Sequence, residues 1–146
     1  MKIAVDFDGT CVDHRYPEVG MDVPLAVATM KDLVKAGHSI ILYTMRSDQH
    51  LIDAVNWFSQ RGIVLHGVQA DPEQTKWTTS TKCYADLYID DRNFGCPLIR
   101  VEGYARQCVN WKAVRETLLA GANRSAIPAS PKPTFGLRLL RWPLSL

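Results

Sequence analysis

The stretch Ile3-Ala4-Val5-Asp6-Phe7-Asp8-Gly9-Thr10 decides the fold class of this chain. Its apolar and partly β-branched start predicts a buried strand, and the Asp-Gly-Thr at its end predicts a turn. Asp6 and Asp8 stand two residues apart on this extended run, so their carboxylates point to the same side. The stretch therefore predicts a buried strand that delivers two carboxylates to the edge of a sheet.

The rest of the chain alternates strand-like apolar runs with amphipathic helical patterns. The further strand-like runs are His38–Tyr43, Ile63–Val68, the run that ends in Leu87-Tyr88-Ile89-Asp90, and Leu98–Val101. Asp22 is the predicted N-cap of the first helix and Asn110 that of the last. Most of the strands are apolar on both faces. This predicts an α/β fold, a three-layer Rossmann-like parallel sheet of about five strands with helices on both faces. Right-handed crossovers bring the C-terminal ends of the strands to one edge, where ligands bind in such folds.

Length and composition predict one domain followed by a tail. The chain has 146 residues, of which 47% are hydrophobic and 22% are charged, so it can build one sizeable core. We expect the domain to span residues 1–121. Residues 122–146 are rich in Ser, Ala and Pro, then apolar and basic with no acidic residue, which is typical of a flexible tail.

The four cysteines lie far apart and form no metal-binding pair, which indicates a reducing, cytoplasmic compartment. No apolar run has the length of a transmembrane helix. The predicted domain carries no basic stripe, so nucleic-acid binding is not favoured.

Polar side chains follow the strands whose ends can be placed. Asp6 and Asp8 follow the first strand, Thr44-Met45-Arg46 the second, and Asp90-Asp91-Arg92-Asn93 the fourth, with Lys82 shortly before the fourth. Four converging carboxylates would repel one another at an apolar edge, and a divalent cation removes that conflict. Because hard oxygen ligands favour Mg²⁺, the pattern predicts a magnesium site suited to phosphoryl transfer.

In order and strand context, these residues resemble the four motifs of the haloacid dehalogenase (HAD) superfamily of phosphohydrolases. The motifs are Asp6-x-Asp8-Gly9-Thr10, Thr44, Lys82 and Asp90-Asp91. Only Cys11–Met21 separates the first motif from the first helix, which resembles the cap-less members. Such members act on large phosphorylated substrates or oligomerise, so a homo-oligomer remains open.

The resemblance implies a Mg²⁺-dependent phosphomonoester hydrolase that acts on a phosphorylated small molecule or macromolecule. Asp6 would be the nucleophile and Asp8 the general acid and base, while Thr44 and Lys82 would hold the phosphoryl oxygens. The implied Mg²⁺ ligands are Asp6, the backbone carbonyl of Asp8, Asp91 directly, and Asp90 in support. Gly9 would form the tight turn beside the substrate. Predicted substrate contacts are Met45, Arg46, Arg92 and Asn93, and the loop residues His14, Arg15 and Tyr16 lie near the leaving group.

Two other functions share these residue types. A phosphorylatable receiver-like signalling domain has the sheet, the acidic cluster, the Thr and the Lys, but there the Lys comes last, whereas Lys82 precedes Asp90-Asp91. A non-catalytic module that binds metal or phosphate is the second alternative. The first strand lacks a following Gly-x-Gly-x-x-Gly, which argues against a dehydrogenase.

Overall fold

The computed structural model describes residues Met1–Ala120 of the chain. In chain order its elements are β1 (Lys2–Val5), α1 (Ala26–Lys35), β2 (Ser39–Leu42), α2 (Asp48–Gln60), β3 (Leu65–Val68), a 3₁₀ turn (Gln74–Lys76), β4 (Leu87–Ile89), β5 (Leu98–Ile99), β6 (Cys108–Val109) and α3 (Trp111–Leu119). The predicted tail, residues 122–146, lies outside the described residues. No helix within the described part is long and apolar enough to cross a membrane.

The main sheet is parallel and has the strand order β3-β2-β1-β4. The central strand β1 pairs with β2 on one side and with β4 on the other, so that Val5 lies between Leu42 and Ile89. Apolar residues on neighbouring strands explain this pairing, because both faces of a central parallel strand are removed from water. The predicted Rossmann-like α/β class is confirmed.

The fifth predicted strand does not join this sheet. Leu98–Ile99 instead pairs antiparallel with Cys108–Val109 in a separate two-stranded ribbon. The described part of the main sheet therefore has four strands rather than about five, and β4 forms one of its edges. The apolar run around Leu98 correctly predicted a strand. Its partner is the segment that follows the turn at Gly103, and not a strand of the main sheet.

The layering differs from the prediction of helices on both faces. Apolar residues of one sheet face share a core with all three helices; they are Ile3, Val5, Ile40 and Leu42. The opposite face carries Ala4 and Tyr88 and is covered by segment 69–86, where the Tyr88 hydroxyl donates to the Cys83 carbonyl and Lys2 pairs with Asp71 at 2.6 Å. Since β1, β2 and β3 run in one direction across the sheet, right-handed crossovers place α1 and α2 on the same face. The return to β4 crosses the other face with only a 3₁₀ turn.

Of the two predicted N-cap residues, one is confirmed and the other is wrong. Asn110 caps α3, since its side chain accepts from the Ala113 N–H at 3.2 Å. Asp22 does not cap α1, which begins at Ala26. The Asp22 carboxylate instead accepts from Trp57 Nε1 at 2.8 Å and from Arg61 at 2.6 Å, so it links the chain before α1 to α2.

Candidate functional site

An open cleft of about 430 Å³ lies where the C-terminal ends of β1, β2 and β4 meet; we call it the acidic cleft. Its lining residues are Asp6, Asp8, His14, Tyr16, Thr44, Met45, Arg46, Asp90, Asp91, Arg92 and Arg106. These residues come from three strand ends and two loops, as expected for a site at the carboxyl edge of a parallel sheet.

Three carboxylates form the acidic centre of this cleft. Asp6 follows β1, and Asp90 and Asp91 follow β4, the strand that pairs with β1. One carboxylate oxygen from each lies within 4.8 Å of the others. Pairing extends past β1, because the Asp6 N–H donates to the Ile89 carbonyl at 3.0 Å, and this places Asp6 beside Asp90.

Burial raises the pKa of Asp6 and of Asp91 in the acidic centre. The pKa of Asp6 rises from 3.8 to about 7, first because the carboxyl is buried and then because Asp90, Asp91 and Asp8 carry like charge. Burial also raises the pKa of Asp91, while Arg106 and Arg92 oppose that rise. An acidic group that is costly to ionise alone favours a bound cation. Three partly buried carboxylates of this kind are the hard oxygen donors that a divalent cation such as Mg²⁺ requires, so the residues present fit such an ion.

Gly9 forms the turn after Asp8 and packs against the acidic centre. Its φ of +84° lies in the left-handed region, and a Cβ at this position would stand 2.7 Å from Asp91 Oδ2. Thr10 joins the two acidic strand ends, because its hydroxyl accepts from the Asp91 N–H at 3.2 Å and donates to Asp6 Oδ2 at 3.4 Å. The turn therefore fixes the distance between the carboxylates.

Two contacts from the C-terminal end of the described chain hold this turn. Trp111 Nε1 donates to the Thr10 carbonyl at 2.7 Å, and the Val109 N–H donates to the Gly9 carbonyl at 2.9 Å. Trp111 is fully buried at the start of α3. The β6–α3 junction is thus part of the support of the acidic centre.

Asp8 is held by Arg46 rather than directed freely into the cleft. Arg46 donates from Nε and Nη2 to the two carboxylate oxygens of Asp8, at 2.7 and 2.8 Å, and its side chain is 1% exposed. The same guanidinium donates to the Pro17 carbonyl at 3.0 Å and to the Glu18 carbonyl at 2.7 Å. Bidentate charge-assisted pairs of this kind are strong. Arg46, a predicted substrate contact, therefore donates its hydrogen bonds to groups of the protein itself.

Thr44 and Met45 line the cleft at the end of β2. The Thr44 hydroxyl accepts from the Arg46 N–H at 3.3 Å, and the Thr44 N–H donates to the Gln69 side chain at 2.9 Å. Met45 is 97% exposed at the rim. Gln69, which follows β3, thus fixes the backbone at Thr44.

The comparisons with known proteins give one informative result. No protein-family model matches the chain, and no curated protein matches it significantly. A solved structure, described as that of a conserved protein coded by a locus from Bacteroides thetaiotaomicron, is 37% identical with a TM-score of 0.69, covering 82% of this chain and 90% of that one. The chain belongs to the family of this Bacteroides protein.

Of the side chains predicted to be catalytic or to bind substrate, those of Lys82 and Asn93 do not line the acidic cleft. Lys82 lines a separate cleft with Trp77 and Tyr84, and its Nζ lies 5.8 Å from the centre of the Tyr88 ring. The Asn93 side chain donates to the Tyr88 carbonyl at 3.2 Å and lines a groove between β4 and α3. Lys82 lies in segment 69–86, which covers the sheet face opposite the helices, and this explains why Lys82 is separated from the acidic cleft.

Three residues that line or support the acidic cleft belong to no motif that identifies them from the sequence: Arg106, Gln69 and Trp111. Arg106 approaches Asp91 Oδ2 at 3.3 Å and donates to His14 Nδ1 at 2.7 Å. The predicted loop residues divide, since His14 and Tyr16 line the cleft while Arg15 pairs with Asp13 at 2.6 Å. Long-range contacts that join positions about 90 residues apart cannot be found from periodicity or turn motifs.

Proposed function

We propose that the chain is a Mg²⁺-dependent phosphomonoester hydrolase in which Asp6 becomes transiently phosphorylated. The observation that carries the proposal is the acidic centre itself. Asp6 faces an open cleft, and its carboxylate lies beside those of Asp90 and Asp91. The resemblance of the ordered motifs to the HAD superfamily supports the same function.

Asp6 is the nucleophile in this proposal. One of its carboxylate oxygens attacks the phosphorus, a bond to Asp6 forms, and the bond between phosphorus and the ester oxygen breaks. The leaving alcohol takes a proton. Water then attacks the phosphorus of the aspartyl-phosphate, which releases inorganic phosphate and restores the Asp6 carboxylate.

Asp6, Asp90 and Asp91 would hold the Mg²⁺ ion, with the Asp8 backbone carbonyl as the further ligand that the resemblance implies. When bound, the ion supplies positive charge that neutralises these carboxylates and the phosphoryl oxygens. Thr10 keeps Asp6 and Asp91 in register through its hydroxyl. The Gly9 turn leaves room for the Asp91 side chain to approach.

Asp8 would donate a proton to the leaving oxygen in the first step and accept a proton from the attacking water in the second. Its two oxygens each accept one hydrogen bond from Arg46, so proton transfer by Asp8 competes with these two hydrogen bonds. Arg46 is accordingly a positioning residue, because its other donors bind the carbonyls of Pro17 and Glu18. A movement of the loop that contains Pro17 and Glu18 would therefore change the hydrogen bonds from Arg46 to Asp8.

Thr44, Arg92 and Arg106 are the groups best placed to bind the phosphoryl oxygens. All three line the acidic cleft, and Arg92 is 70% exposed. Cationic side chains that surround a transferring phosphoryl group stabilise its charge. Lys82 has no part in this proposal, since it lies in the separate cleft beside Tyr88. A cytoplasmic location and a homo-oligomer stay predictions.

The test is phosphate release from p-nitrophenyl phosphate by the full chain, with Mg²⁺ present or chelated. We expect release that requires Mg²⁺ and falls by at least about a thousandfold in Asp6→Asn, because the nucleophile is lost. Glu116→Gln is the matched control, since it removes an exposed carboxylate on α3 and should retain full activity. Equal turnover by Asp6→Asn and the wild-type chain would remove Asp6 from the reaction.

One observation favours a second candidate, the non-catalytic module that binds metal or phosphate. Arg46 occupies both oxygens of the only carboxylate proposed for proton transfer. In that case Mg²⁺ binds to the wild-type chain, and binding weakens in Asp91→Asn, but no phosphomonoester is hydrolysed. Calorimetric titration with Mg²⁺, run beside the release assay, separates the two functions.

A further inference from the structure

A second cleft of about 470 Å³ adjoins the acidic cleft. Its lining residues are Asp91, Arg92, Leu98, Arg100, Arg106 and Gln107. Asp91, Arg92 and Arg106 also line the acidic cleft, so the two clefts share three lining residues. We call the second one the arginine cleft.

The arginine cleft carries a surplus of positive charge. It has three guanidinium groups and one carboxylate, that of Asp91, which already faces Arg92 at 3.6 Å and Arg106 at 3.3 Å. The predicted domain as a whole has more acidic than basic residues, so this concentration is local. A concave surface with such a surplus attracts anions.

Two of the guanidinium groups retain unused donors. Within Met1–Ala120, no carboxylate lies within 4.0 Å of Arg100, whose side chain has no hydrogen-bond partner in that range. The Nε of Arg106 is buried and has no hydrogen-bond partner among the same residues. A buried donor without a partner costs free energy, whereas the Arg100 side chain, unpaired within Met1–Ala120, is exposed and can bind an anion.

The β5–β6 ribbon places the side chains of Arg100 and Gln107 on one side. Ile99 pairs with Cys108, so the next opposed positions are Arg100 and Gln107. Directly opposed residues of an antiparallel pair share a face, and Leu98 shares it with Arg100. The ribbon thus presents a guanidinium and an amide together, next to the acidic centre.

We infer that the arginine cleft binds a second oxyanion, a phosphate or a carboxylate, on the leaving group of the substrate. This inference rests on the proposed hydrolase function and names its substrate class, a small phosphomonoester with two separate anionic groups. Guanidinium groups match the oxygens of phosphate and carboxylate in a two-bond geometry. Arg100 is the specificity residue, because it is the one of the three arginines that does not also line the acidic cleft.

The test compares alkyl phosphates with alkanediol bisphosphates and carboxyalkyl phosphates of matched, increasing chain length, using the full chain with Mg²⁺. We expect kcat/KM to be about tenfold higher for a substrate of suitable length that carries a second anionic group than for the matched alkyl phosphate. Arg100→Gln should lose most of this preference while hydrolysing the alkyl phosphates at an unchanged rate. Lys112→Gln, which removes an exposed positive charge on α3, should keep the preference. The bisphosphate and carboxyalkyl arms show which oxyanion is bound.

Binding gives a readout that does not depend on turnover. Calorimetry with alkane bisphosphonates and alkyl phosphonates should show the same preference, again lost in Arg100→Gln. If nothing is hydrolysed but this pattern holds, the arginine cleft stands and the proposed hydrolase function fails. Absence of any preference in the wild-type chain, in hydrolysis or in binding, would overturn the inference. An equal loss on both substrate types in Arg100→Gln would overturn it too.

Discussion

Gly9 shows how tightly the acidic centre is built at the level of single residues. The turn after Asp8 needs a left-handed φ, and the Asp91 carboxylate occupies the space where a side chain would start. The Asp-Gly-Thr sequence predicted the turn, because glycine adopts this φ without strain. It could not predict the contact with Asp91, which lies about 80 residues further along the chain.

We expect Gly9→Ala to destabilise the fold and to weaken Mg²⁺ binding, since the new methyl group would displace Asp91. Gly37→Ala is a matched control, because Gly37 also has a φ of +84° but has no atom within 4 Å of a Cβ. Backbone strain should cost both variants about 1–2 kcal/mol. Gly9→Ala should lose at least about 1 kcal/mol more in urea unfolding. Equal losses would show that the Asp91 contact is easily relieved.

The Asp8–Arg46 pair illustrates a limit of residue-by-residue prediction. Both residues were identified from the sequence, Asp8 as an acid and Arg46 as a substrate contact. The structure joins them in a buried ion pair, and the carbonyls of Pro17 and Glu18 complete the surroundings of the guanidinium. A motif indicates which side chains reach a sheet edge, but their partners depend on loops of no regular period.

At the level of elements, the β6–α3 junction supports a site to which it contributes no carboxylate. Val109 and Trp111 both donate to carbonyls of the first turn, across about 100 residues. Asn110 lies between them as the N-cap of α3. The sequence predicted this cap, because Asn followed by an amphipathic pattern marks a helix start. It gave no sign that the first turn of α3 contacts Thr10.

We expect Trp111→Phe to leave the Thr10 carbonyl without a partner and to loosen the turn that joins Asp6 to Asp91. The free energy of unfolding should fall by about 2 kcal/mol, and Mg²⁺ affinity should fall with it. Trp77→Phe serves as the control, because Trp77 is 63% exposed, and should change stability by no more than about 0.5 kcal/mol. Urea unfolding and calorimetric Mg²⁺ titration measure both effects. Unchanged Mg²⁺ affinity in Trp111→Phe would show that the turn holds its shape alone.

The elements of the main sheet were predictable because each is a short apolar run bounded by turn residues. The order of the motifs along the chain placed the acidic strand ends at one edge, and the structure brings Asp6, Asp90 and Asp91 together there. The β5–β6 ribbon was not predictable, since β6 has only two residues and depends on long-range pairing. Short strands carry too few residues to show a period.

At the level of the whole molecule, the acidic centre couples global stability to pH. The folded-state pKa of Asp6, about 7, lies above its ordinary value of 3.8. Between these values the folded chain holds a proton that the unfolded chain has lost, so ionisation opposes folding. The stability contribution of Asp6 therefore falls as pH rises from about 4 to about 7 and is constant above that range.

We expect the Mg²⁺-free chain to lose stability relative to Asp6→Asn between about pH 4 and about pH 7, by up to a few kcal/mol. Mg²⁺ should reverse this trend, because it binds the ionised carboxylates, and its stabilising effect should grow over the same range. Urea unfolding of both chains, with Mg²⁺ or with a chelator, measures the difference. Parallel pH profiles for the wild-type chain and Asp6→Asn would contradict the shifted pKa of Asp6.

The contacts from Val109 and Trp111 to the first turn have a consequence for biosynthesis. A ribosome releases the Asp6 strand first and the Asp90-Asp91 strand much later, yet the residues that hold the first turn emerge later still. A nascent chain that already contains every carboxylate of the centre therefore lacks two of the contacts that hold the first turn in place. In the proposed function, the metal-binding form would be completed only after α3 has left the exit tunnel, so we expect truncation before that helix to yield a chain that has all the carboxylates and binds Mg²⁺ weakly.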